Sequence, residues 1–233
     1  MTIHVEWGIA GARAHAATSA VMIIVDVLSF STCVDVAAAR GAVVFPIAFY
    51  HSAAALAFGQ SIGAVAAGKR GQSDAAYSLS PASLVAIPAG TKLVLPSPNG
   101  SAISAAISDR RVFAGCLRNA RAVAIAAQAS AKGGAITVIA AGEHWADGSF
   151  RPAIEDLLGA GAILAHLTGA FSAEATLARD AYRASQPHLA DLIRTCVSGR
   201  ELRDRGYPQD VEVAVAENVS TAAPQLRDGG FRG

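Results

Sequence analysis

Charge is scarce in this chain. Only 16% of its 233 residues are Asp, Glu, Lys or Arg, and 19 basic residues face 18 acidic ones. No block of like charges stands anywhere in it. A nucleic-acid footprint of clustered Lys and Arg is therefore excluded. Lysine is nearly missing: it occupies positions 69, 92 and 132 only, and arginine supplies the rest of the positive charge. That bias is compositional, so a single surface arginine says little about function. Aromatics make up 6%. The three cysteines, Cys33, Cys116 and Cys196, are too far apart for a zinc spacing and odd in number for a disulfide framework. The chain reads as reduced and intracellular. Long apolar runs are lacking as well. The weakly polar stretch from Ala122 to Gly142 is interrupted by Gln128, Lys132, Gly133 and Gly134, which breaks a membrane span. The run from Ala16 to Val25 lacks the basic start of a signal peptide, ends in Asp26 and reads better as a strand.

What is present in quantity is small and apolar. There are 53 alanines and 22 glycines, and 52% of the chain is hydrophobic. Such a composition can bury a core and excludes disorder. Apolar runs alternate with alanine-rich helical stretches. Strands are expected at 3–7, 20–25, 43–47, 92–95, 111–114 and 135–141. Helices are expected at 32–40, 51–67, 102–108, 119–131 and 154–167. The last third reads as mostly helical to Arg205, with a late strand over 211–215 and an irregular tail. Residues 69–81 read as a polar loop. Strands apolar on both faces, separated by helices, imply a three-layer α/β/α fold with a mostly parallel central sheet. With no repeat and no linker, residues 1–233 read as one domain.

Ligands of such sheets bind beyond the carboxyl ends of the strands. The polar residues expected there are Asp26; Ser97, Asn99, Gly100 and Ser101; Cys116, Arg118 and Asn119; and Glu143, His144, Glu155 and Asp156. Each has a plain structural reading beside the functional one. Asp26 is a helix cap or turn residue, or a metal ligand or catalytic carboxylate. Ser29, Ser31 and Thr32 cap a helix, or join its free amides in an anion site. Asn99-Gly100 is a turn signal, or lets backbone approach a phosphate. Glu155-Asp156 complements a helix dipole, or supplies the hard oxygen ligands that magnesium takes. Arg200 at a helix start is unfavourable for the dipole and suggests an anionic partner. Gly63 to Arg70 nearly matches a phosphate-binding loop, but Arg70 stands where a hydroxyl is required and the segment ends a helix. Gly159-Ala-Gly161 suits close helix packing.

Several of these segments, in this order, resemble the 2-phosphosulfolactate phosphatase family. The carrying pieces are Val25-Asp26-Val27-Leu28-Ser29-Phe30-Ser31-Thr32, Gly68-Lys69-Arg70-Gly71, Ser80-Pro81, Asn99-Gly100-Ser101, and Gly115-Cys116-Leu117-Arg118-Asn119-Ala120. Then follow Ala141-Gly142, Ile154-Glu155-Asp156 running on to Gly161, Ser198-Gly199-Arg200-Glu201-Leu202, and Gly206-Tyr207-Pro208-Gln209-Asp210-Val211. Four positions depart from the family pattern. Ser29 replaces an arginine, Leu79 an asparagine, Asn218 an aspartate, and Pro96-Ser97-Pro98 a threonine-rich run. Loss of that arginine weakens recognition of a second anion. Arg70, Arg118 and Arg200 are the candidates to replace its charge.

The resemblance implies a cytoplasmic, Mg2+-dependent phosphatase acting on a small phosphorylated hydroxy acid. In methanogens that activity serves coenzyme M biosynthesis. Asp26, Asn99 and Glu155 are the expected catalytic residues. Ser31, Thr32, Arg70, Gly100, Ser101, Asn119 and Arg200 are expected to bind substrate. Asp26, Glu155 and Asp156 are expected to hold the metal. The partner is a small anionic phosphorylated substrate, with no nucleic acid and no membrane; a homo-oligomer stays open. The alternative is a non-catalytic anion-binding protein on the same scaffold.

Overall fold

A computed structural model of the chain describes residues 1–48 and 52–233. It begins with β1 (Thr2–Trp7), α1 (Gly8–Ala16), β2 (Ser19–Val25), α2 (Phe30–Ala39), β3 (Val43–Ile47), α3 (Ser52–Ile62) and β4 (Val65–Ala66). The middle holds β5 (Lys92–Pro96), α4 (Gly100–Ala106), β6 (Val112–Gly115), α5 (Ala120–Ala131), β7 (Ala135–Ala140), β8 (Glu143–His144) and β9 (Phe150–Arg151). The rest is α6 (Ile154–Leu164), β10 (Ala170–Phe171), α7 (Ala173–Ser185), α8 (Leu189–Thr195), α9 (Val197–Asp204), α10 (Pro208–Ala214), β11 (Gln225–Arg227) and β12 (Gly230–Arg232).

The main sheet has the order β10-β1-β7-β2-β6-β11-β12-β3-β5-β4. Its strands show why both faces must be covered. In β2, Val21, Ile23 and Val25 join one buried cluster with Val123 of α5, Ile163 of α6 and Ala178 of α7. The alternate residues Met22 and Ile24 join a second cluster with Ala12 of α1, Val34 of α2 and Ile103 of α4. The period of two thus feeds two cores, giving the three layers expected. Small residues let the layers close up. A Cβ on Gly161 of α6 would lie 2.6 Å from the Cβ of Tyr182 on α7, so glycine here serves helix packing.

The sheet is two parallel blocks joined by a hairpin. β10, β1, β7, β2 and β6 are parallel, as are β3, β5 and β4. Between them, β11 pairs antiparallel to β6, β12 antiparallel to β11, and β3 antiparallel to β12. Three reversals give the blocks opposite sense. Yet the residues after β2 and after β5 touch, because the Gly100 amide donates to Asp26 at 2.9 Å. The sheet therefore turns at the hairpin.

Several expectations change. The tail read as irregular is this hairpin. Its turn, Asp228-Gly229, has φ of 50° and 76°, the positive values that a tight two-residue hairpin loop requires. The strand expected over 211–215 is the helix α10. Pro208 opens it, and Asp210, Val211 and Ala214 form its buried face, so helical spacing prevails over the valine alternation. The helix expected over 51–67 ends at Ile62 and gives way to β4; His51 lies outside the described residues. Helix α1, which the sequence reading lacked, follows β1 without a loop. Among the described residues, no helix is long and apolar enough to cross a membrane.

Phe231 anchors the hairpin. It is fully buried, and its ring stands 6.0 Å from that of Phe30, edge to face. Replacing it by alanine opens a cavity where the two blocks join. Phe231→Ala is expected to cost about 3–5 kcal/mol in urea denaturation. A cost well under 1 kcal/mol would mean that the hairpin is not the brace described.

Candidate active site

The chain segments leaving β2, β5 and β7 converge on one cleft of about 220 Å3. Asp26 and Ser29 come from the first, Ser97 and Asn99 from the second, Glu143 and His144 from the third. Arg70 reaches in from the loop after β4, Arg151 from β9, and Ser198, Glu201 and Arg205 from α9 and its end. The strand-end rule locates the site.

Asp26 is 4% exposed, and the fold supplies donors to it. Its Oδ1 accepts the Phe30 amide at 3.1 Å and its Oδ2 the Gly100 amide at 2.9 Å. These are the free N–H groups at the starts of α2 and α4. Gly100 must be glycine, since a Cβ there would overlap the Phe30 ring. Burial pushes the Asp26 carboxyl above its ordinary range; the two amides and Arg70 pull it down, and the charge of Glu155 raises it.

Glu143 stands three residues past the end of β7, and its carboxyl is pushed up to about 7. Burial is the largest cause, followed by the charge of Asp26; a hydrogen bond from the Asn99 carboxamide and the charge of Arg151 oppose it. A carboxyl near neutrality in a cleft is suited to moving a proton. Asn99 itself is 6% exposed, and its buried Oδ1 has no hydrogen-bond partner among the described residues.

Arg70 is held from behind. Its Nε donates to Asp210 Oδ2 at 3.0 Å, one terminal nitrogen donates to the Ser29 hydroxyl at 2.7 Å, and its guanidinium lies 5.7 Å from the centre of the Tyr207 ring. Asp210 also accepts from the Ser80 hydroxyl and, at 3.3 Å, from the Ala82 amide. Arg151 is 7% exposed, bonds the Ser198 hydroxyl at 3.3 Å and lies 5.4 Å from the Trp145 ring centre.

The structure brings Asp26, Arg70 and Asn99 together and places the other expected residues elsewhere. The Ser31 hydroxyl bonds both the amide and the carbonyl of Asp26, and the Thr32 hydroxyl bonds the Val27 carbonyl. Both side chains are wholly buried and brace the turn after β2. The Ser101 hydroxyl donates to the Leu95 carbonyl. Asn119 takes the Cys116 amide and donates to the Ala114 carbonyl. Gly100 contributes through its amide to Asp26. Arg200 is exposed and caps the carbonyl of Thr195 at 2.6 Å, while Arg118 is bound to Asp35 at 2.9 Å. None of these lines the cleft.

The expected metal trio also separates. Asp156 spends both oxygens on amides, Val27 at 2.7 Å and Gly142 at 2.9 Å, and so ties two site loops together. Burial, Glu155 and Asp26 push its carboxyl well up, against those amides. Glu155 is 2% exposed and accepts the Cys196 thiol at 3.3 Å. Among the described residues, no three His, Cys, Asp or Glu side chains are grouped to hold a metal ion. The cysteines are buried free thiols, and burial raises all three; Cys196 is pushed up to about 12.

The expected site thus lacked Glu143, Arg151, Ser198, Arg205 and the supporting Asp210. The strand-end rule pointed to Glu143. Nothing local marks Arg151 in an arginine-biased chain.

A cleft beyond the strand ends, lined by the buried Asp26, the half-buried Glu143 and an arginine held from behind, defines an α/β enzyme of a small anionic ligand. Residues 10–229 match the family of 2-phosphosulpholactate phosphatase, and the chain belongs to it. That family is one of phosphoric monoester hydrolases. No curated protein sequence matches the chain.

Asp26, Glu143 and Asp156 all bind a proton more tightly in the fold than ordinary carboxyls do. Their contribution to stability is full below the ordinary carboxylate range and falls as pH rises, for Glu143 through about 7. In EDTA, the melting temperature is expected to drop between about pH 5 and about pH 8, and Glu143→Gln to make that drop shallower. An unchanged slope in the variant would mean that Glu143 is not the group titrating near neutrality.

Proposed function

We propose that the chain is a Mg2+-dependent phosphatase that hydrolyses the phosphate ester of a small 2-hydroxy acid, with 2-phosphosulfolactate as the reference substrate. The observation that carries the metal is Asn99 Oδ1, a buried oxygen without a partner among the described residues, beside two cleft carboxylates. Magnesium takes hard oxygen ligands and commonly uses only one or two carboxylates, with waters and substrate phosphate completing its shell. Asp26 and Asn99 Oδ1 fit that need. Glu155 and Asp156 do not line the cleft, and Asp156 gives both oxygens to amides. Once bound, the ion neutralises phosphoryl charge.

The remaining work falls to side chains. Arg70 faces the cleft with its guanidinium plane fixed by Asp210, so it can bind phosphoryl oxygens without first ordering itself. Ser29 and Ser97 offer hydroxyls to the same group. Hydrolysis takes one proton from water and returns one to the departing hydroxyl oxygen. Glu143, titrating near neutrality, is the side chain suited to carry it. On one flank the cleft passes Arg70 and Arg205 into a pocket that also holds Lys69. That basic flank suits the carboxylate of the hydroxy acid.

The purified protein is expected to release phosphate from 2-phosphosulfolactate or 2-phospholactate. EDTA should abolish the activity and Mg2+ restore it. Asp26→Asn should lower kcat by roughly 10^2-fold or more. Calorimetric binding of phosphate with no turnover of any phosphorylated hydroxy acid would favour the anion-binding alternative.

Asp210 touches Arg70 and lies outside the cleft lining, so it acts by positioning. Asp210→Asn keeps the shape and removes the charge. It is expected to raise KM by about tenfold with a smaller effect on kcat, read from initial rates. An equal fall in kcat would assign Asp210 to the chemistry itself.

A further inference from the structure

We infer that the substrate's third substituent is apolar, and that the chain takes phosphate esters of 2-hydroxy acids bearing an aliphatic or aromatic side chain. The inference rests on the phosphatase reading and names its substrate class. Opposite the basic flank, the cleft opens into a second cavity of about 500 Å3. The two share Pro98, Asn99 and His144, so a ligand atom beside Asn99 has access to both.

The walls of this cavity are mostly apolar. Trp7, Ile9, Ile103 and Phe150 form them, Asn99 and His144 are the polar side chains at the edge shared with the cleft, and among the described residues no Lys, Arg, Asp or Glu lines it. The Trp7 and Phe150 rings stand 6.0 Å apart at 70°, and the rings of His144 and Phe150 6.4 Å apart at 90°. Ile9 and Phe150 are 37% and 40% exposed, so part of this apolar surface meets water and gains by being covered. The volume falls in the range of small-molecule sites.

Around C2 of a phosphorylated 2-hydroxy acid three groups must be housed. The phosphoryl group takes the central cleft. The carboxylate takes the flank with Lys69, Arg70 and Arg205. The side chain is left with the apolar cavity. A sulfonate there would be desolvated with no Lys or Arg beside it, whereas a phenyl or branched alkyl group meets matching walls.

Three esters on one skeleton test this: 2-phospholactate, 2-phosphosulfolactate and 2-phospho-3-phenyllactate. The phenyl ester is expected to exceed each of the others in kcat/KM by about tenfold or more, and Ile9→Glu to cancel that advantage. Binding supplies a second readout. The chain has two tryptophans, so Trp145→Phe leaves Trp7 as the sole reporter. The phosphonate analogue of the phenyl ester is expected to shift its fluorescence, and the methyl analogue to leave it unchanged. Equal rates on the three esters, a phenyl advantage that survives Ile9→Glu, or no response of Trp7 to the phenyl analogue would overturn the inference. If none of the esters is turned over, the phosphatase reading falls, and the fluorescence arm still decides what the cavity binds.

Discussion

One buried carboxylate holds the site and the sheet in the same place. Asp26 ends β2 in one parallel block, and the Gly100 amide that donates to it begins α4 after β5 in the other. The two blocks run in opposite sense, so their neighbouring loops come together only because the sheet turns. The second Asp26 oxygen accepts the start of α2, a helix with nearly every residue buried. A carboxylate this deep is costly unless its lone pairs are met, and the fold meets them with amides. Its remaining lone pairs face a cleft containing Arg70 and the unpaired oxygen of Asn99. Structural and chemical demands therefore meet on the same two oxygens.

A second tier of contacts fixes what Asp26 cannot. Asp156 bonds the loops after β2 and β7, and Asp210 bonds Arg70 and the chain around Ser80. Both are buried acids outside the cleft. They distinguish supporting carboxylates from those that face ligand. Asp26 bonds backbone amides and also lines the cleft, while Asp156 and Asp210 bond the protein without lining it.

Much of this was legible in the sequence, for reasons that can be named. Apolar runs such as Val21–Val25 are unmistakable because both faces are buried, and Asp26 stands out at the end of one. The strand-end rule then reaches Asn99 and Glu143. It cannot tell a lining residue from a brace. Ser31, Thr32, Ser101 and Asn119 flank the site in sequence and turn their polar atoms onto backbone. The arginines show the same limit. Arg70, Arg118 and Arg200 look alike in the chain, and only tertiary partners separate one facing the cleft from one on Asp35 and one capping a helix end. The hairpin was missed: the tail read as irregular despite the turn pair Asp228-Gly229, and its place between β6 and β3 depends on pairings distant in sequence.

Those pairings set an order of assembly. Phe231 aligns with Val44 and Gln225 with Phe113, so the brace joins strands made far earlier in the chain. Contacts of such long sequence separation carry a large loop-closure cost and slow a fold that depends on them. In synthesis from the N-terminus, every strand of both blocks precedes Arg205, the last of the cleft residues, and the hairpin follows them all. A nascent chain reaching only Arg205 already carries each side chain of the cleft without the strap that bends the sheet around them. The two blocks are thus joined by the last segment of the chain to be made, one that lines no part of the cleft.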